Sequence, residues 1–301
     1  MKKLVYTENI EFDMRDWDRE PIEKVYAGQG CIMAITSDGR TLQKIKDKNA
    51  EARTAYWTRI RQIAVSNLVP GMAIGLVSDR TCMISKRPLR KICSPGYQNF
   101  SFDLIHNEIK RWTNIIQVEV SDAFFALDSD GRVHVSALNE YTRRDYSSVT
   151  FWRDVKRIVI GSQNSLLGIT GDGHVLCAGA NLKRGPHGDT TEKLKSLSGV
   201  VDVFSTGSEC EQIYFAFRDG SVQDYNGNQI AVKTLNTAVP AKLFDGTFAY
   251  NVLILDEQDQ LHKLEYDKPV QLFQGEGKVK SFACCEGSSY GNPVVLAVID
   301  Y

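Results

Sequence analysis

Apolar positions in this chain recur at steps of three and then give way to short runs of β-formers. Trp57-x-x-Ile60-x-x-Ile63, Trp112-x-x-Ile115-x-x-Val118, Trp152-x-x-Val155-x-x-Ile158 and Leu197-x-x-Val200-x-x-Val203 share this frame, and Trp17 precedes Ile22 and Val25 in a looser version. The fullest copy runs from Phe151 to Asn181. It predicts strands at Ile158 to Ile160, at Leu166 to Ile169 and, beyond Gly171-Asp172-Gly173, at His174 to Ala178. Glycine reaches positive φ without steric cost, so Asp-Gly between two apolar runs predicts a hairpin. Each of the four tryptophans falls at much the same point of the frame. That repetition assigns them to packing between repeats, where large apolar surface must be buried, rather than to a ligand platform.

The predicted hairpins fall at Ser37-Asp38-Gly39, Ser78-Asp79-Arg80, Ser129-Asp130-Gly131, Gly171-Asp172-Gly173, Arg218-Asp219-Gly220 and, in degenerate form, Gln258-Asp259. Their spacings are 41, 51, 42, 47 and 39 residues. A period of about 40 to 50 residues with three or four short strands predicts the blades of a β-propeller, each Asp-Gly joining second and third strands. Pro293 to Tyr301 reads as the second strand of a last blade that stops before its hairpin, and Met1 to Phe12 supplies a third. The expectation is an all-β, seven-bladed propeller whose ring closes by pairing of the N-terminal strand into the C-terminal blade, which also removes an exposed sheet edge. Blades are expected at about 17–56, 57–111, 112–151, 152–196, 197–235, 236–274 and 275–301 plus 1–16, as one domain.

Composition changes this picture little. The 301 residues are 43% hydrophobic with a formal net charge of -1, so no global field argues for nucleic acid or an anionic membrane. Charge is uneven along the chain: Arg40 to Trp112 holds fourteen Lys and Arg against five Asp and Glu, and Val201 to Tyr301 holds seven against fourteen. No apolar run has the roughly 20 residues of a membrane span, and a cytoplasmic monomer is expected. The seven cysteines, Cys31, Cys82, Cys93, Cys177, Cys210, Cys284 and Cys285, are odd in number and read as buried free thiols.

Gly161-Ser-Gln-Asn164-Ser-Leu-Leu-Gly-Ile-Thr-Gly-Asp-Gly173, followed by Ala178-Gly179-Ala180-Asn181, resembles the repeat of the regulator of chromosome condensation family. Gly28-Gln-Gly-Cys31-Ile-Met-Ala-Ile-Thr-Ser-Asp38-Gly39 fits the same frame. Cys31 and Asn164 stand where that family usually has His. The resemblance covers essentially the whole chain and implies a binding platform. Within the family this fold carries nucleotide exchange on a small GTPase, chromatin docking, ubiquitin-ligase modules and enzyme inhibition, and the fold does not choose among them.

No catalytic constellation accompanies the repeat: there is no G-x-S-x-G elbow, HExxH or phosphate loop. His134 and His262 occupy equivalent repeat positions and read as structural strand residues. No cofactor, metal site or enzymatic activity is expected. Two surfaces stand out. The segment from Ile84 to Arg111 carries Lys86, Arg87, Arg90 and Lys91, then Lys110 and Arg111, among aromatics. It reads as a solvated outer strand and loop, with a nucleic-acid backbone or an acidic protein as the alternative ligand. The segments joining first and second strands are short in blades one to four. In blades five to seven they lengthen and carry Glu209 and Glu211, then Phe248 and Tyr250, then Tyr290 and Asn292. Aromatics and Asn on Gly/Ser-rich loops of a rigid scaffold suit protein recognition, with the glutamates steering a basic partner. The function expected is a non-enzymatic scaffold that binds another macromolecule, a protein in the first reading. A nucleotide-exchange or chromatin-type regulator of a small GTPase or nucleosome is the alternative.

Overall fold

The computed structural model of the chain describes residues 2–7, 10, 12–28, 30–45, 54, 56–66, 71–85, 102–160, 165–179, 191–205, 213–229, 237–240, 252–255, 258–265, 268–285 and 294–301. Among these, the strands form seven small antiparallel sheets. Sheet one holds β2 (Ile22–Gly28), β3 (Cys31–Thr36) and β4 (Thr41–Ile45). Sheet two holds β5 (Ile60–Val65), β6 (Ala73–Val77) and β7 (Cys82–Ile84), and sheet three β8 (Ile115–Val120), β9 (Ala123–Asp128) and β10 (Val133–Ala137). Sheet four holds β11 (Val155–Ile160), β12 (Leu166–Thr170) and β13 (Val175–Ala178), and sheet five β14 (Val200–Ser205), β15 (Ile213–Phe217) and β16 (Val222–Asp224). Sheet six has four strands, β17 (Thr237–Pro240), β18 (Val252–Leu255), β19 (Leu261–Glu265) and β20 (Lys268–Gln271). Sheet seven joins β21 (Lys278–Cys285) and β22 (Val294–Asp300) to the N-terminal β1 (Lys2–Tyr6). Lys2 pairs with Asp300, so the two termini meet where the other sheets have their hairpin.

Every predicted hairpin joins a second to a third strand, and its last residue is left-handed: Gly39, Gly131, Gly173 and Gly220 at φ 78°, 75°, 90° and 82°, with Arg80 at 66° and Asp259 at 60°. Arg and Asp there bear a steric cost that glycine does not. The same turns bind the next sheet. At five of the six turns the N–H of the first core residue of the following sheet donates to the turn carbonyl: Ile60 to Gly39 at 3.4 Å, Ile115 to Arg80 at 3.0 Å, Val155 to Gly131 at 3.0 Å, Val200 to Gly173 at 3.0 Å and Val279 to Asp259 at 2.8 Å. A methyl on Gly173 would lie 2.8 Å from Gly199 Cα in the next sheet, so the contact itself, besides φ, requires glycine.

The core lies between consecutive sheets. Trp57 packs among Cys31, Met33 and Ile35 of sheet one and Ile60, Ile63 and Ala73 of sheet two. Trp112 bridges sheets two and three, Trp152 sheets three and four, and Trp17 sheets seven and one. All four are buried, as the repeat frame implies. The indoles need room on the middle strand of their own sheet: a methyl on Gly75 would lie 2.9 Å from Trp57 Cζ3, and one on Gly168 would lie 2.8 Å from Trp152 Cζ3. Sheet five inverts the sizes. Leu197 takes the Trp place, and Phe215, register partner of Val203 as Gly168 is of Ile158, takes the glycine place.

Helices break the all-β expectation locally. The end of the Ile84 to Arg111 segment, expected as strand and loop, contains α1 (Phe102–Ile109). Ile105 and Ile109, four apart, bury one face of it, and Asp103 sits in its first turn. After β10 come α2 (Glu140–Asp145), capped by Asn139 Oδ1 accepting from the Thr142 N–H at 2.8 Å, and a 3₁₀ turn (Ser147–Phe151). A third short helix, α3 (Thr191–Lys195), lies against β13. These pieces cover outer strands that would otherwise present open edges. Among the described residues, no helix is long and apolar enough to cross a membrane.

Candidate functional site

All of the partner-binding residues singled out in the sequence, Glu209, Glu211, Phe248, Tyr250, Tyr290 and Asn292, lie outside the described residues, as do Lys86, Arg87, Arg90 and Lys91. The strands that frame them are described. β14 ends at Ser205 and β15 begins at Ile213; β17 ends at Pro240 and β18 begins at Val252; β21 ends at Cys285 and β22 begins at Val294. In each case the segment joins first and second antiparallel strands, and so starts from the end of its sheet opposite the hairpin between second and third strands or, in sheet seven, opposite the end where Lys2 pairs with Asp300.

A feature the sequence reading missed runs along the first strands. In six sheets the first strand carries a β-bulge after its opening core residue, shifting the register at Ile22/Lys24, Ile60/Gln62, Ile115/Gln117, Val155/Arg157, Val200/Asp202 and Val279/Ser281. A bulge leaves one residue out of the ladder, here Glu23, Arg61, Ile116, Lys156, Val201 and Lys280, and in five of the six sheets the side chain of the residue after it reaches the next sheet. Gln62 Nε2 donates to Val118 O at 3.2 Å while its Oε1 accepts from Val118 N at 3.3 Å. Gln117 repeats this on Ile158, at 2.6 Å and 3.0 Å. Ser281 Oγ accepts from Val25 N at 3.1 Å, and Lys24 Nζ donates to Arg61 O at 3.0 Å. Two residues after the opening core position stand Lys24, Gln62, Gln117, Arg157, Asp202 and Ser281, so no repeated residue type announced the contact in the sequence.

Between sheets four and five the chemistry changes. Arg157 has no acceptor for a backbone N–H, so Asp202 Oδ1 accepts from Val203 N at 2.8 Å, and Asp202 Oδ2 pairs with Arg157 Nη1 at 2.9 Å. Arg157 Nε remains buried without a partner among the described residues. Burial raises the Asp202 pKa against the pull of Arg157. Close by, Glu119 accepts from Gln117 Nε2 at 3.2 Å. Burial pushes its carboxyl up to about 7, more than that hydrogen bond and Arg157 offset. Two carboxyls and one guanidinium thus meet where sheets three, four and five adjoin.

The histidine and cysteine expectations can be set against side chains. His134 Nε2 lies 2.9 Å from Asp128 Oδ2 and stacks at 5.7 Å on Trp112. Burial opposes ionisation of Asp128, but the Arg132 N–H and His134 outweigh it and hold its pKa low. The pair braces the β9–β10 hairpin. Cys31 and Cys82 are buried free thiols, pushed up to about 12 by burial, and Cys177 is half-buried; thiols held so high are poor nucleophiles. The other four cysteines lie outside the described side chains. Among the described residues, no three His, Cys, Asp or Glu groups gather as metal ligands.

No protein-family model matches the chain, and no curated protein does. Solved structures do. Prp20p from Saccharomyces cerevisiae, studied for its binding to Gsp1p and histones, matches with a TM-score of 0.58 and 11% identity over 92% of this chain and 82% of that one. The same yeast protein bound to Kap60 matches at 0.58 and 12% identity, over 92% of this chain and 80% of that one. Human WBSCR16 matches at 0.59 and 11% identity, over 94% and 87% of the respective chains. With the repeated hairpins, inter-sheet tryptophans and seven small sheets, this likeness makes the chain a β-propeller with the fold of the regulator of chromosome condensation repeat proteins.

Proposed function

We propose that the chain is a non-enzymatic, seven-bladed propeller that binds a protein through the loops at one end of blades five to seven. In this reading the ring closes through β1, the blade boundaries are those drawn from the repeat, and the whole chain is one domain. Closure is supported by the β1–β22 pairing and by the packing of sheet seven on sheet one, where Leu4, Val25 and Leu296 share a cluster. The observation that carries the binding reading is connectivity. The three long segments rich in aromatic and acidic residues all join first and second strands of consecutive sheets, and so belong to one end of the scaffold. Rigid strands beneath such segments suit recognition, because the scaffold bears the ordering cost before the partner arrives.

Within this surface Phe248, Tyr250 and Tyr290 act as anchors, Asn292 as a hydrogen-bonding neighbour, and Glu209 and Glu211 as steering charges. A protein recovered by affinity capture should lose about 2 kcal/mol of binding with each aromatic-to-alanine change, the melting temperature staying put. Glu209→Lys with Glu211→Lys should slow association and flatten its salt dependence. Unaltered capture by all of these variants would overturn the reading. The shared fold with Prp20p makes a small GTPase or histones the second class of partner to include in the assay.

A further inference from the structure

The first strands of sheets three, four and five lie side by side, β8 against β11 and β11 against β14. Arg157 stands on the middle strand, with a carboxyl on each neighbour: Glu119 on β8 and Asp202 on β14. Only Asp202 is paired with it. Its Oδ2 lies 2.9 Å from Arg157 Nη1, and its Oδ1 accepts from the Val203 N–H at 2.8 Å. A guanidinium is planar and offers a further edge, made by Nε and Nη2, that matches a carboxylate. At Arg157 the Nε of that edge is buried and has no partner among the described residues. A buried, unmet donor is costly, and a charged acceptor is its strongest partner.

Glu119 is weakly bonded on its own side. Its Oε1 accepts from Gln117 Nε2 at 3.2 Å, and that amide already donates to Ile158 O at 2.6 Å. Other charged groups on the strands packed against β8 are engaged elsewhere or face solvent. Arg61 of β5 is exposed, Lys156 of β11 pairs with Asp154 at 2.8 Å, Asp128 of β9 is held by His134 and the Arg132 N–H, and β6 carries no charge. Arg157 alone acts on Glu119 through its charge. We propose that Glu119 and Asp202 share Arg157 as a pH-dependent clasp: with Glu119 neutral the guanidinium joins sheets four and five, and with Glu119 ionised the Nε edge takes Glu119, so that one side chain ties sheets three, four and five together. Burial keeps the Glu119 carboxyl neutral up to about 7, so the exchange falls near neutrality. The contact offsets part of the cost of burying the carboxylate and does not abolish it, since burial outweighs Arg157. Neither this clasp nor the loop end of blades five to seven depends on the other.

The test uses the full chain, isotope-labelled and with the Glu119 carboxyl and the Arg157 Nε–H assigned by triple-resonance NMR, titrated from about pH 5 to about pH 9. The carboxyl is expected to titrate near neutrality, and over the same range the Nε–H signal should move downfield and exchange more slowly with water. This co-titration is read in the parent, without any variant that could fail to fold. In Glu119→Gln the Nε–H should no longer respond to pH. Asp202→Asn keeps an acceptor for the Val203 N–H and removes the competing charge, so it should lower the Glu119 titration by about one pH unit. Arg157→Lys keeps the charge and lacks the Nε edge, and should raise that titration by a similar amount. The proposal is overturned if the Nε–H of the parent is indifferent to pH, or if it still responds in Glu119→Gln. It is equally overturned if Arg157→Lys leaves the Glu119 titration where it was, since charge alone would then account for the coupling.

Discussion

Sheets four and five perform the same task with opposite residues. In sheet four a large indole, Trp152, lies over a glycine, Gly168; in sheet five the smaller Leu197 stands in the Trp position and Phe215 fills the middle strand. The seam between sheets three and four is a neutral amide, Gln117, bonded both ways to Ile158, while the next is the Arg157–Asp202 ion pair, whose Nε has no partner among the described residues. What the repeat conserves is volume and satisfied backbone groups, not residue identity. Interior packing tolerates volume-conserving exchange, and a buried N–H can donate to any competent acceptor.

The largest expected effect tests the volume exchange. Trp152→Ala should cost about 3 to 5 kcal/mol by urea denaturation, and Gly168→Phe alone should be comparably damaging through collision with the indole. Joined with Trp152→Leu, which recreates the arrangement of sheet five, Gly168→Phe should recover most of that loss. If the double variant is as unstable as the sum of its parts, size compensation is not the reason for the difference.

Next in size are the two seams. Asp202→Val leaves the Val203 N–H and Arg157 without their acceptor and should cost about 2 kcal/mol, less than a fully buried pair because Arg157 is 39% exposed. Gln117→Ala should cost about 1 to 2 kcal/mol for the unmet Ile158 groups. Converting the charged seam to the neutral one with Arg157→Gln and Asp202→Val together should change stability by less than about 1 kcal/mol, since Gln can meet Val203 directly. A double variant no better than Asp202→Val would sharpen the view that the backbone spacing at this seam admits only the longer relay.

The smallest effect concerns protonation. Glu119 has its folded pKa raised to about 7 from an ordinary 4.5. The folded state therefore prefers the neutral acid, and the stability it contributes is present at low pH and lost as pH rises through about 7. Glu119→Gln should accordingly match the parent near pH 4 and melt higher than the parent at pH 8. Parallel melting curves across that range would show the carboxyl to be solvated rather than held in the seam.

The sequence by itself determined the period, the six hairpins and the role of the tryptophans, because each rests on local chemistry that repeats. Asp-Gly can hardly be read otherwise between β-formers, and even Arg80 and Asp259 take the glycine conformation once the turn length demands it. It also foretold that the first and last strands would pair, from two half-blades at the ends of the chain. Tertiary structure alone decided how the sheets are joined. The bulge just before Gln62, Gln117 and Arg157 belongs to the pairing of first with second strand, and the backbone these side chains reach lies in the next sheet, so neither is visible in the local sequence. The short helices stayed hidden for a related reason. Helices of five to eight residues are too short for periodicity to announce, and they persist because β10 and β13 offer edges and apolar surface to cover.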